Sequence, residues 1–255
     1  MRGRNPFIDN GCGDSLAEAW AAHVLPHSPI TELVSGLWHV IGVLRPTPRE
    51  MVIYRLPDGC LLIHSAIALD EASLKHLESL GTPTIMIVPN RIHRIDAAIY
   101  KRRYPQLAVV APAVAKPYVE EVVAVDAIAE EWLPDYGIIC HTPNGIRPQE
   151  LVYELPLTTG KALLFTDILF NLTDAYLEAH APRSKWLLRW LGAGNQFGIT
   201  ALGQRFFMTD KAAYRQWLQT LADTVSSLRV ISVAHGAPIT KDCSEQLRSA
   251  ANRLA

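Results

Sequence analysis

Cysteine is scarce and scattered in this chain of 255 residues: Cys12, Cys60, Cys140 and Cys243 form no C-x-x-C pair. That spacing excludes a zinc knuckle, a redox dithiol and a disulfide framework. Cys60 and Cys140 lie in apolar runs and are expected to be small buried fillers, in a protein of the reducing cytoplasm. No stretch approaches the roughly 20 consecutive apolar residues that span a bilayer, so no membrane is expected as a partner. The first residues, MRGRNPFIDNGCGD, start basic but lack an apolar signal core, which argues against secretion. Neither sign of charge is in excess. With 24 Lys and Arg against 25 Asp and Glu, the formal charge is −1 and the pI about 6.8. No global field draws such a surface to nucleic acid. A histidine cluster is missing too: the loop VPNRIHRID (88–96) holds only His93.

What is present is ample material for a core. With 49% hydrophobic and 19% charged residues, the chain is long enough for one large domain and needs no second. Residues 1–30 read as an N-terminal extension, where SLAEAWAAHV has helical spacing among turn formers, and residues 31–255 as the domain. GLWHVIGVL, EMVIYRL and CLLIH are strand candidates, with LPDG a turn between the last two. DEASLKHLESL reads as an amphipathic helix with Asp70 as N-cap and Gly81 at its end. TIMIV has the continuous apolar character of a strand buried on both faces. A helix through DAAIYKRRY follows, then strands at LAVVAP and EVVAV around a Pro-interrupted helix. The meander recurs in GIICHT, ELVYELP and KALLFTD, with TTG as a hairpin turn. A long connection, about residues 171–209, leads to a helix in KAAYRQWLQTLADTVSSL, the strand RVISVAH and a last helix, CSEQLRSAANRL. Antiparallel strands followed by strand–helix units, twice over, imply two packed sheets with helices outside. The expected fold class is α/β, a four-layer αββα sandwich.

Two residues carry the chemistry. Asp167 closes KALLFTD and His235 closes RVISVAHG, each where an apolar strand stops, and strand ends are where α/β folds gather function. A carboxylate and an imidazole so placed are typical metal ligands. Their ordinary alternatives are a strand-end Asp capping a turn and a buried, hydrogen-bonded imidazole.

Taken in order, LIHSA (62–66), VPNRIHRID (88–96), HTPNG (141–145), TDILF (166–170) and AHGAPIT (234–240) resemble the landmarks of the metallo-β-lactamase fold superfamily. Those landmarks are an Asp-Thr-Gly strand end, H-x-H-x-D-H, a T-P-G-H turn, a G-D-x-x-F strand end and a final H-G turn. The resemblance covers about residues 31–255 and implies the metallo-β-lactamase type of αββα sandwich, in an uncharacterised branch whose histidine loop begins Pro-Asn. It implies that Asp167 matches the carboxylate bridging two metals and His235 the final histidine. His93 matches the last histidine of its motif in one register, which sets Asn90, Ile92 and Val88 at other ligand positions. In the other register Asn90 stands at the first histidine and His93 is an ordinary loop residue. The T-P-G-H histidine is absent, with Asn144, Gly145 or Ile146 in its place. His141 precedes that turn and reads as structural or as support behind a ligand. His64 replaces the Asp of Asp-Thr-Gly and is either a support for the ligands or a core histidine. His39, His76 and His180 match no motif, and His76 reads as simply exposed.

The resemblance therefore implies at most one metal ion, zinc or in its place iron or manganese, held by His93, Asp167 and His235. No metal at all is the alternative. These three residues are also the candidate catalytic set, activating water against an ester, thioester or similar bond in a small-molecule substrate. The alternative is a non-catalytic, metal-free relative that binds a small molecule or a protein partner. An iron redox variant is disfavoured by the reduced ligand set. Asn90, Arg91 and Arg94 are candidate substrate contacts, the arginines for a carboxylate or phosphate. With Lys101, Arg102 and Arg103 the arginines otherwise read as a solvated face. Trp186, Leu187, Trp190 and Leu191 fall at helical spacing, and core packing is the preferred reading. A lid, a dimer surface or a substrate groove using Trp186 and Trp190 are the sharper ones, so a homodimer stays open.

Overall fold

Alternation along the strands builds the layers. In the computed structural model, which describes residues 15–44 and 46–254, strands β1 (Thr31–Val34), β2 (Leu37–Gly42), β3 (Arg49–Arg55), β4 (Leu61–His64), β5 (Pro83–Ile87), β6 (Ala108–Ala111) and β7 (Ala127–Ile128) form one sheet in sequence order. Strands β8 (Ile139–His141), β9 (Val152–Leu157), β10 (Gly160–Phe165) and β11 (Leu228–Val233) form a second, in the order β11-β10-β9-β8. Cys12 and the basic start of the chain lie outside the described residues.

On β3, Val52 and Tyr54 join Leu62, Ile85, Tyr153, Ala162, Leu164 and Val230 in the core between the sheets. Their neighbours Met51 and Ile53 face the other way, into a core with Trp20, Leu74, Leu77, Tyr100 and Val119. Those residues come from α1 (Leu16–His23), α2 (Glu71–Leu80), α3 (Ala97–Arg103) and α4 (Lys116–Val119). The short α5 (Ala129–Trp132) follows β7, and its Ala129 is buried between the sheets. On the far side, Leu163 and Phe165 of β10 pack with Tyr214, Leu218 and Leu247. These belong to α9 (Lys211–Thr224) and α10 (Cys243–Asn252). Both sheets are thus covered on both faces, which is why their strands read as apolar runs. The expected αββα sandwich is what forms.

The connection before α9 contains three short helices, α6 (Asp174–His180), α7 (Lys185–Trp190) and α8 (Ala201–Phe207). On α7 the buried residue is Leu188, while Trp186 and Trp190 are 71% and 78% exposed. Core packing of the two tryptophans is therefore overturned: the helix docks through the opposite side. EVVAV is not a strand either. Residues 121–125 form a turn that leaves Val123 in the core, and the short pairing to β6 comes later, at Ala127 and Ile128. Cys60 and Cys140 pack at the edge of the inter-sheet core, half-buried.

Within the stretch read as an extension, α1 lies against the sheet. A capping box between Ser15 and Glu18 starts the helix. Trp20 is buried and donates its indole N–H to the Leu69 carbonyl at 2.8 Å. Asp70 caps α2 by accepting from the Ser73 N–H at 2.8 Å. Asp70→Ala should cost about 1 kcal/mol in urea unfolding; a loss indistinguishable from zero would mean that the cap contributes nothing. No helix among the described residues is long and apolar enough to cross a membrane.

Candidate metal centre

β10 stops at Phe165, so the N–H groups of Thr166, Asp167 and Ile168 lie past the last ladder bond and need other acceptors. Glu150, just before β9, supplies them. Its carboxylate accepts from Thr166 at 3.2 Å, from Asp167 at 2.9 Å and from Ile168 at 3.3 Å. This fixes the direction of the Asp167 side chain. Sequence reasoning read Glu150 only as the first residue of a strand, although an acid amid buried strand residues needs donors around it. Burial and the Asp167 charge push the Glu150 carboxyl up, against the pull of these donors.

Three buried side chains converge there. His93 Nε2 lies 3.3 Å from Asp167 Oδ1, and His235 Nε2 lies 3.2 Å from the same oxygen. All three ligand atoms fall within 4.8 Å of one another. Burial alone would raise the Asp167 carboxyl, but the His93 and His235 imidazoles overcome it and hold it well below the usual range. The His93 imidazole is lowered by burial, with Asp167 pulling the other way.

Each ring is held from behind. His93 Nδ1 lies 2.8 Å from Ser65 Oγ, and Ser65 takes a positive φ of 58° at the end of β4. Positive φ is uncommon outside glycine and here aims a hydroxyl at a candidate ligand. His235 Nδ1 lies 2.7 Å from the Pro48 carbonyl, and Phe170 stacks on the ring at 5.2 Å. Gly236, at φ 136°, passes so close to Asn171 that a Cβ would meet its backbone at 2.4 Å. No side chain fits there.

A metal ion fits this group on chemical grounds. The Pro48 oxygen only accepts, so His235 Nδ1 carries a proton, and in the neutral ring Nε2 turns its lone pair toward Asp167 Oδ1. Two acceptors at 3.2 Å repel unless a proton or a cation lies between them. Tetrahedral zinc with bonds near 2.1 Å separates its ligand atoms by about 3.4 Å, close to the spacings of each histidine from Asp167. A ring N–H held by a carbonyl or hydroxyl is also how metal-binding histidines are oriented.

Asn90 occupies the other side of Asp167. Its Nδ2 donates to Asp167 Oδ2 at 2.7 Å and to Glu150 Oε2 at 3.2 Å. Its Oδ1 accepts from the Ile92 and His93 N–H groups. A neutral amide thus joins two carboxylates, and no further His, Cys, Asp or Glu among the described residues completes a second group.

The remaining predicted residues lie elsewhere. His64 is buried, its pKa pushed down to about 3 by burial with His93 nearby, and its ring meets Tyr153 edge-on. His141 pairs with Glu154 at 2.8 Å. Arg94 is tied to Glu121 at 2.8 Å and to the Tyr118 carbonyl, while Arg91 is exposed. Lys101 and Arg103 pair with Asp126 and Glu78, as a solvated face would. Trp186 and Trp190 are not part of the buried group.

Asp96, three residues after His93, is engaged by Arg49 Nη2, by His23 at 3.0 Å and by the Ala68 N–H at 3.2 Å. Burial would raise its carboxyl, but His23 and Arg49 overcome that and hold it below the ordinary value. A depressed carboxyl contributes stability above its unfolded pKa of about 3.9, and loses it as pH falls through the folded value. Asp96→Asn should therefore cost roughly 2 kcal/mol at neutral pH, and the deficit should shrink in acid. Urea unfolding at neutral and acidic pH checks this; a deficit that does not change with pH contradicts it.

The architecture and this centre define a class: the chain has the metallo-β-lactamase fold. No family model matches the sequence, and no curated protein shows significant sequence similarity to it. Solved structures match it in fold. The metallo-β-lactamase FIM-1 from Pseudomonas aeruginosa, in its mono-zinc form, is similar with a TM-score of 0.57 at 11% identity, over 91% of this chain and 97% of that one. The metallo-β-lactamase DIM-1 gives a TM-score of 0.59 at 12% identity, over 91% and 99%. A metallo-β-lactamase from Erythrobacter litoralis gives 0.57 at 14%, over 88% and 96%.

Proposed function

We propose that this protein is hydrolase-like, with one metal ion held by His93, Asp167 and His235 and used against an ester, thioester or similar bond. The observation that carries the reading is the buried group of His93, Asp167 and His235, whose ligand atoms all lie within 4.8 Å of one another. When bound, zinc or a similar ion supplies Lewis acidity and brings the pKa of water toward ~7. The chain's own part is positional. Ser65 and the Pro48 carbonyl fix the two rings, while Glu150 and Asn90 fix the carboxylate.

One observation favours the second reading, a metal-free binding protein. The neighbouring carboxylates are already engaged, Glu150 by N–H donors and Asp96 by Arg49 and His23. Neither is free to take the proton of a water molecule. The test is turnover of a panel of aryl esters and acyl thioesters by zinc-loaded protein. The proposal expects hydrolysis that a chelator abolishes and that is lost in His93→Ala. Zinc-loaded protein without turnover across the panel would favour the second reading.

A further inference from the structure

Beside the centre lies a cavity of about 440 Å³ with an unusual polarity. Its charged residues are Arg91 and Arg147, and no acid lines it. Neither guanidinium has an acidic partner among the described residues, whereas Arg94, on the same loop as Arg91, is committed to Glu121. Gln149 also lines the cavity, and its amide nitrogen is buried without a hydrogen-bond partner. Two guanidiniums without an acidic partner and an orphan donor, with no carboxylate among the lining residues, suit an oxyanion.

The remaining wall is apolar. Val114, Tyr118, Phe206 and Phe207 contribute to it, and Tyr118 and Phe206 are 45% and 56% exposed. These walls are tied to the basic residues. The Phe207 carbonyl accepts from the Arg147 N–H at 2.8 Å, and the Tyr118 carbonyl accepts from Arg94. The volume falls in the range of small-ligand sites, which join an apolar lining to a few placed polar groups. The centre's own residues do not line the cavity, but the two share chain segments: Arg91 follows Asn90 and Gln149 precedes Glu150, the two residues that hold Asp167.

We propose that this cavity binds an amphipathic anion, a carboxylate or phosphate carrying an aromatic or alkyl tail, with Arg91 and Arg147 on the oxyanion and the aromatic wall on the tail. As the substrate class for the chemistry above it rests on that reading, but the binding itself does not require the metal.

Calorimetric titration of protein dialysed against chelator tests it. The probes are 4-phenylbutyrate and 3-phenylpropyl phosphate, with the neutral 4-phenylbutanamide and tail-less acetate as controls. At least one anion should bind at one site, ten-fold or more tighter than the amide and than acetate, and the tighter of the two identifies the oxyanion. The R91A/R147A double variant changes exposed residues only, and should lose that ten-fold while Phe206→Ala weakens both anion and amide. Equal binding of anion and amide, no binding of either anion at millimolar concentration, or an unaffected double variant would each overturn the proposal. Because the protein is metal-free throughout, failure of the metal reading leaves this result unchanged. Anion binding without turnover of the matching ester would count against the hydrolase alone.

Discussion

Glu150→Ala should be among the most damaging single substitutions in this protein, lowering its stability by about 3–5 kcal/mol. The side chain is buried and accepts N–H donors from Thr166, Asp167 and Ile168, as well as the Asn90 amide. Alanine would leave these donors facing a cavity, and each unsatisfied buried donor costs about 1–3 kcal/mol. Relief of repulsion between Glu150 and Asp167 offsets part of this, which is why the expected loss is well below the sum. Glu150→Gln keeps one acceptor oxygen and the volume, so it should be the milder change. Urea unfolding of the three proteins measures this. A loss under about 1 kcal/mol for the alanine variant would show that the strand end does not depend on Glu150.

The second large effect is on metal affinity. His235→Ala should weaken zinc binding by more than about 10²-fold, beyond the 10–100-fold typical of groups that only orient a ligand. Ser65→Ala, which removes the partner of His93 Nδ1, should stay within that smaller range. Competition with a chromogenic chelator reads both, and circular dichroism establishes that the variants are folded. The ordering matters more than the absolute values. If Ser65→Ala weakened zinc binding more than His235→Ala, the assignment of ligand and support would be reversed.

Much of this was legible in the sequence, for identifiable reasons. Strands buried on both faces show as apolar runs, so TIMIV and KALLF announced β5 and β10, and Asp70 and Gly81 bracketed α2. Strand ends are also visible, which is how Asp167 and His235 could be singled out. His93 left two registers open because one histidine in a loop carries no periodicity; its distance of 3.3 Å from Asp167 gives it a place beside that residue. Glu150 and Ser65 were missed because they act through side-chain-to-backbone and side-chain-to-ring bonds across long separations, which no local pattern records. Trp186 and Trp190 misled because helical spacing marks a face without saying whether it is turned inward. EVVAV misled in a similar way, since apolar β-branched residues serve a packed turn as well as a strand.

The proposed centre has a single metal position, with the amide of Asn90 bridging Asp167 and Glu150 where a second ion would need free carboxylate oxygens. Elemental analysis of untagged protein, purified without chelators and again after zinc reconstitution, tests it most directly. About one ion per chain is expected, lost in His235→Ala. No metal after reconstitution, or two ions per chain, would contradict it.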